Sequence, residues 1–298
     1  MPEARRQKID MVNKRFLQTA ERWKNPSLPA ERTQQTKTKI PTTKTNFPDS
    51  PTESFIFSYD GEHKDYFQEL IIKSNERFKG TKAEIPIGTN GEIQGHLIKR
   101  LGLITTIYNN PQLKSSNLYP ITPAQSEVLL KNGKLTNPGD NWEDLGIILY
   151  DTNGENPKEA QALYESLKKH RQDLSLSQSD LENKLIIVNA GAEVDSSIPH
   201  GVKPIVLPEL TQVYQHEVLE KVGEDLKFEG YGLNGGLPLL KQLGSGSRTL
   251  YMLDETENIG LRVLYRYGDL VLGSRFRNLD CSNGDGRVNF ARSASPKN

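Results

Sequence analysis

Residues 258–296, NIGLRVLYRYGDLVLGSRFRNLDCSNGDGRVNFARSASP, restrict the fold of this chain more than any other stretch, because they use a reduced alphabet. Lys, Glu, Gln, Met and Trp are absent from all 39 residues, while residues 1–257 hold 22, 23, 14, 3 and 2 of them. Basic side chains are not excluded as such, since Arg262, Arg266, Arg275, Arg277, Arg287 and Arg292 are present. What remains favours strands and turns over helix. The pattern predicts a strand over Leu261–Tyr265, a turn at Arg266–Asp269, and an alternation of Leu270 and Leu272 with Val271 and Gly273. Leu279 is the next core anchor, and Val288 and Phe290, two residues apart, make a short last strand.

Two origins fit the alphabet. Strands and turns disfavour Lys, Glu and Gln on their own account. Alternatively, codons ending in C encode every residue type found here and none of the five that are missing, so a segment rewritten at the adenines of AAC codons would look like this.

Ahead of that segment the chain divides by charge. Residues 1–52 carry 11 Lys+Arg against 5 Asp+Glu, and residues 53–298 carry 27 against 33. A basic arm therefore precedes a mildly acidic body. Within the arm, Ile9, Val12, Phe16, Ala20 and Trp23 recur at helical spacing and predict an amphipathic helix over 5–23. Such a helix suits an acidic partner, a membrane surface or nucleic acid, and equally a docking site on its own domain. Residues 24–52 are rich in Thr, Pro and Lys and read as a flexible linker. There is no apolar run of membrane-spanning length and no secretory leader pattern. The default compartment is cytoplasmic, with display on a surface or a virion left open.

The body, 53–298, mixes helices and strands. A strand is expected at Ser54–Tyr59, a helix at Asp65–Phe78 with Phe67, Leu70, Ile71 and Phe78 inward, and a turn at Gly88–Gly91. The apolar run from His96 to Tyr108 fits neither type cleanly. Thr122-Pro123 opens a helix that ends near Asn132-Gly133. Gly146–Asp151 reads as a buried strand, and Asn156-Pro157 opens a helix reaching about Leu174 with Ala160, Leu163, Tyr164 and Leu167 inward. Leu185–Val188 and Val202–Leu207 are further strands, and strand–helix–strand at this spacing resembles a βαβ unit. Leu210–Val222 is expected to be helical, Gly230–Gly236 a glycine-rich loop, and Ser247–Leu253 a strand.

Chemistry-bearing constellations are sparse. His63, His96, His170, His200 and His216 include no pair at metal-ligand spacing. Ser245 and Ser247 follow a polar stretch, not the strand of a nucleophile elbow, so pairing either with His216 is unsupported. The glycines at 232–236 and 244–246 lack the order of a dinucleotide loop, and no phosphate-loop lysine follows them. Asp280–Asp285 offers oxygen ligands without the glutamate that closes a calcium loop, and Cys281, the single cysteine, has no adjacent His or Lys to activate it. Neither a metal nor a cofactor is expected.

The run from Leu118-Tyr119-Pro120 through Leu149–Gly154, Ile187–Gly191, Pro208–Gln212 and Gly244–Tyr251, ending in Gly286-Arg287-Val288-Asn289-Phe290-Ala291-Arg292, resembles the variable proteins of diversity-generating retroelements. The nearest likeness is to forms from archaea, their viruses and small-genome bacteria, and it covers roughly 53–298. In that family a reverse transcriptase copies a template repeat with errors at adenines and overwrites the 3′ end of the gene, so it acts on the gene and not on the protein. The resemblance implies an α+β, C-type-lectin-like fold with a β-rich C-terminal binding face. It also implies a macromolecular ligand, protein or glycan, bound without catalysis. No calcium-binding lectin motif is present, so calcium-dependent glycan binding is not expected.

Under this likeness Leu270, Leu272, Leu279, Gly286, Arg287, Val288 and Phe290 are scaffold. Tyr267, Asp269, Val271, Gly273, Arg275, Phe276, Arg277, Asn278, Asp280, Cys281 and Asn283 are the exposed, variable ligand contacts. Two other readings stay open: an α/β enzyme with a site near Asp151, at the end of a buried strand, and an assembly protein acting through the basic arm.

Overall fold

The computed structural model describes residues 51, 53–58, 61–86, 95–136, 142–221, 225–232, 235–252, 259–268, 271–274, 279 and 286–292. The arm 1–52, apart from residue 51, and the turn at 88–91 lie outside the described residues. The described body is α+β.

Chain closure is its first principle. The opening strand β1 (Ser54–Ile56) pairs antiparallel with the last strand β13 (Asn289–Arg292), and β13 pairs on its other side with β2 (Leu118–Pro120). The two ends of the described body are thus adjacent strands of one three-stranded sheet. Two helices pack on it: α1 (Lys64–Phe78) and α2 (Leu97–Tyr108). The ambiguous run at 96–108 is helical because both of its sides are apolar and both are buried, Leu97, Leu101 and Ile104 as well as Ile98, Leu103 and Ile107. Its N-terminus is satisfied by His96 Nδ1, which accepts from Lys99 N at 3.4 Å, and by Asp144 Oδ2, which accepts from Leu97 N at 3.0 Å. Phe57, just after β1, Phe67 of α1 and Phe290 of β13 form a mutual ring contact, with centroids 5.0–5.4 Å apart. The short α3 (Pro111–Ser115) follows α2.

Helix α4 (Pro123–Lys131) starts as expected. Thr122 Oγ1 accepts from Gln125 N and Gln125 Oε1 accepts from Thr122 N, a reciprocal cap with Pro123 at the first helical position.

The central sheet follows: β3 (Trp142–Leu149), β4 (Leu185–Val188), β7 (Gln212–Tyr214), β8 (Asp225–Phe228), β9 (Arg248–Tyr251), β10 (Leu261–Tyr267) and β11 (Val271–Gly273) run in the order β7-β4-β3-β10-β11-β9-β8, and β12 (Gly286–Arg287) pairs with β3. The expected βαβ unit is not formed. After α5 (Pro157–Lys169) the chain turns back through residues 170–184, so β4 meets β3 antiparallel, with Ile147 opposite Ile187. Strand β6 (Val202–Ile205) joins β5 (Gly191–Val194) in a separate hairpin. The helix expected at Leu210–Val222 is also absent. Thr211 Oγ1 accepts from Leu207 N and donates to the Asn189 carbonyl, which leads the chain from a single turn at 207–211 into β7. Only a single 3₁₀ turn follows, at Glu217–Glu220.

Ala160, Leu163 and Leu167 of α5 are buried as expected, with Tyr164 partly buried. They cover the sheet face that carries Ile147, Ile187, Val263 and Tyr265. The opposite face, with Ile148, Ile186, Leu250, Leu264 and Leu272, is covered by Val218, Leu219 and Leu237. Among the described residues no helix is long and apolar enough to cross a membrane.

Candidate functional site

Two points within the distinctive C-terminal segment, 266–267 and 286–287, meet at the first two residues of β3. Tyr267, at the end of β10, lies opposite Trp142, and Gly286, at the start of β12, lies beside the same Trp142. One position further, Arg266 and Arg287 both face Glu143 in register. The stretch between these points therefore starts and ends beside the same residue pair of β3.

Glu143 fastens both ends. Its carboxylate is buried and accepts from Arg266 Nη2 at 2.9 Å, from Asn289 N at 2.8 Å and from Asn289 Nδ2 at 3.1 Å. Arg266, itself fully buried, donates with Nη1 to the Gly268 carbonyl and so sets the turn after β10. The expected turn at Arg266–Asp269 is later than predicted: Arg266 and Tyr267 are still strand, and Gly268, at φ 57°, reverses the chain. Neighbouring Arg100 is fully buried and donates to the Ile121 carbonyl. Burial lowers its pKa to about 10, while the carboxylates of Glu143 and Asp144 pull the other way.

A second buried ion pair holds the far side of the sheet. Arg248 makes a two-pronged contact with Glu127 of α4, at 2.5 and 2.8 Å, and donates to the Gly230 carbonyl. Glu127 also accepts from Gly232 N. Gly230 and Gly232 of the glycine-rich loop are thereby tied, through Arg248 and Glu127, to α4. The Arg248 guanidinium carbon sits 4.7 Å from the centroid of Phe228 and 5.3 Å from that of Tyr231.

Of the expected scaffold, Leu272, Leu279, Gly286, Val288 and Phe290 are buried and Arg287 is half-buried. Leu270 lies outside the described residues. Of the expected ligand contacts, Tyr267 and Val271 are half-buried at the sheet surface. Gly273 corrects the expectation of exposure. It is buried, and a Cβ there would sit 2.7 Å from the Tyr251 carbonyl oxygen and 3.0 Å from its Cβ. The backbone of β9 passes too close for any side chain, so position 273 belongs with the scaffold. Asp269, Arg275, Phe276, Arg277, Asn278, Asp280, Cys281 and Asn283 lie outside the described residues.

Trp142 was not singled out by sequence. Its ring lies 4.3 Å from that of Tyr267 at an interplanar angle of 33°, and 5.1 Å from that of Tyr265. The available signal was the order Trp142-Glu143-Asp144 just ahead of an apolar run, where two acids entering a buried strand need internal partners.

At Asp151 the carboxylate closes a turn, accepting from Asn153 N at 2.8 Å and Gly154 N at 3.0 Å. The nearby groove, about 430 Å³, is lined by Thr152, by Pro157, Lys158, Gln161 and Glu165 of α5, and by Ser197 of the β5–β6 turn. Among the described residues no group of three His, Cys, Asp or Glu is placed to hold a metal ion. No family model, curated protein or solved structure matches the chain.

Proposed function

We propose that this protein binds a macromolecular ligand, without catalysis, through a face built from its C-terminal segment on a C-type-lectin-like scaffold, and that the segment is diversified by a retroelement. One observation carries the reading. Glu143, in the part of the chain with ordinary composition, clamps Arg266 and Asn289, which lie inside the reduced-alphabet segment and bracket its residues 267–288. A segment fastened at both ends tolerates change between its anchors without loss of the fold. The pairing of β1 with β13 supports the lectin-like scaffold, because it brings the two ends of the described body together.

The gene provides the test. A template repeat near the 3′ end should match the codons of 258–296 except at adenines, with AAC or other adenine-bearing codons aligned to Tyr267, Val271 and the other variable positions outside the scaffold. Sibling copies of the gene that carry Lys, Glu or Gln at those positions would overturn the proposal.

A further inference from the structure

The register of the central sheet lines up five side chains across five strands. Trp142 of β3 is opposite Tyr267 of β10, Tyr267 is opposite Val271 of β11, Val271 is beside Thr249 of β9, and Thr249 is opposite Lys227 of β8. Directly paired residues share a sheet face, so these five form one row. At four strand spacings of about 4.8 Å the row is roughly 19 Å long. Trp142, Tyr267 and Val271 are half-buried and Lys227 is exposed, while Thr249 is buried and accepts a hydrogen bond from Lys227 Nζ at 2.7 Å.

Only the middle of this row, Tyr267 and Val271, belongs to the reduced-alphabet segment. Its two ends come from elsewhere in the chain. We propose that Trp142 and Lys227 are fixed contacts flanking the varied ones, and that the ligand engaged across the row is the surface of a folded protein. This rests on the diversified-face reading above.

Three features argue for a protein surface. A row of roughly 19 Å suits the core of a standard protein interface better than a single sugar ring. One end is aromatic, with Trp142 and Tyr267 side by side and aliphatic Val271 next to them, and Trp and Tyr head the residue types that dominate protein-binding energy. The other end is polar, where Lys227 and, one step along the same face, half-buried Asp225 supply the charged rim of such an interface. The arrangement also has a purpose under diversification. Constant anchors at both ends hold any ligand in one register while the residues between them set which ligand is held.

A display experiment separates this inference from the reading beneath it. Full-length chains diversified at the variable positions of 258–296, with Gly273 kept, are displayed on yeast and panned on hen lysozyme as a folded-protein probe and on mannan as a glycan probe. Lysozyme-binding clones are expected. In several independent clones, Trp142→Ala and Lys227→Ala should each weaken lysozyme binding at least 10-fold, while Ile72→Ala, on the exposed side of α1, leaves it unchanged. Thermal melting of each variant controls for folding, and Lys227→Ala, at an exposed site, keeps the test meaningful where Trp142→Ala destabilises. Lysozyme-binding clones that keep their affinity in both variants overturn the fixed anchors and leave the diversified face standing. Enrichment on mannan alone overturns the protein ligand. Enrichment on neither probe overturns the diversified face and the anchors together.

Discussion

Single residues carry unusual weight here because several are buried charges. Glu143 neutralises Arg266 and accepts from both nitrogen atoms of Asn289, so Glu143→Ala leaves a guanidinium buried without its carboxylate. The expected cost is about 3–5 kcal/mol, read as a lower urea midpoint. Gly273→Val places a branched side chain against the β9 backbone at Tyr251 and should cost about 1–3 kcal/mol on the same assay. His216 gives the fold a pH dependence of defined sign. Burial lowers it from 6.5 to about 4, with Glu217 opposing, and its Nδ1 accepts from Val218 N. The unfolded chain takes up a proton at this site below pH 6.5 while the folded chain stays neutral down to about pH 4. Stability present above 6.5 is therefore lost as pH falls through that window, by up to about 3 kcal/mol. Denaturation at pH 7 and pH 4.5 should show this loss, and His216→Asn, which keeps a capping acceptor, should flatten it.

At the scale of elements, the sequence was most legible where a local rule decided the outcome. The cap at Thr122, the proline at 123 and the apolar face of α1 all follow from spacing, and the structure has them. Thr122→Ala should accordingly cost about 1 kcal/mol, measured by thermal or urea denaturation. Errors came where a distant partner overrode local preference. Leu210–Val222 has helical spacing, yet Thr211 finds Asn189 and Leu207, and the chain pairs with β4 instead. The βαβ expectation failed because spacing does not encode strand direction, which the turns at 170–184 set. Strand β3 begins four residues before its predicted start because Glu143 and Asp144 have buried partners that come from residues far along the chain. The candidate site was half legible for the same reason. The composition of 258–296 marked the segment, and alternation marked Leu272, Val288 and Phe290 as its buried anchors. Trp142, Glu143 and Lys227 became part of it only through strand register, which no local pattern specifies.

For the whole molecule, the decisive feature is that β13 is the middle strand of the sheet that closes the body. Truncation after residue 285 removes the partner of both β1 and β2 and the Phe290 ring that packs on Phe57 and Phe67. Such a chain should lose its cooperative thermal transition. The position of β13 also has a consequence for inheritance of errors. The strand that completes the fold is encoded near the 3′ end of the segment proposed to be rewritten, after every variable position, in the same reading frame. An insertion or deletion introduced during rewriting would shift that frame and erase Val288, Asn289 and Phe290 together. The product would lack its closing strand and the partner of Glu143, and would be left to the proteases that clear unfolded chains. Placing the keystone after the varied positions lets the fold proofread the frame of the text that precedes it.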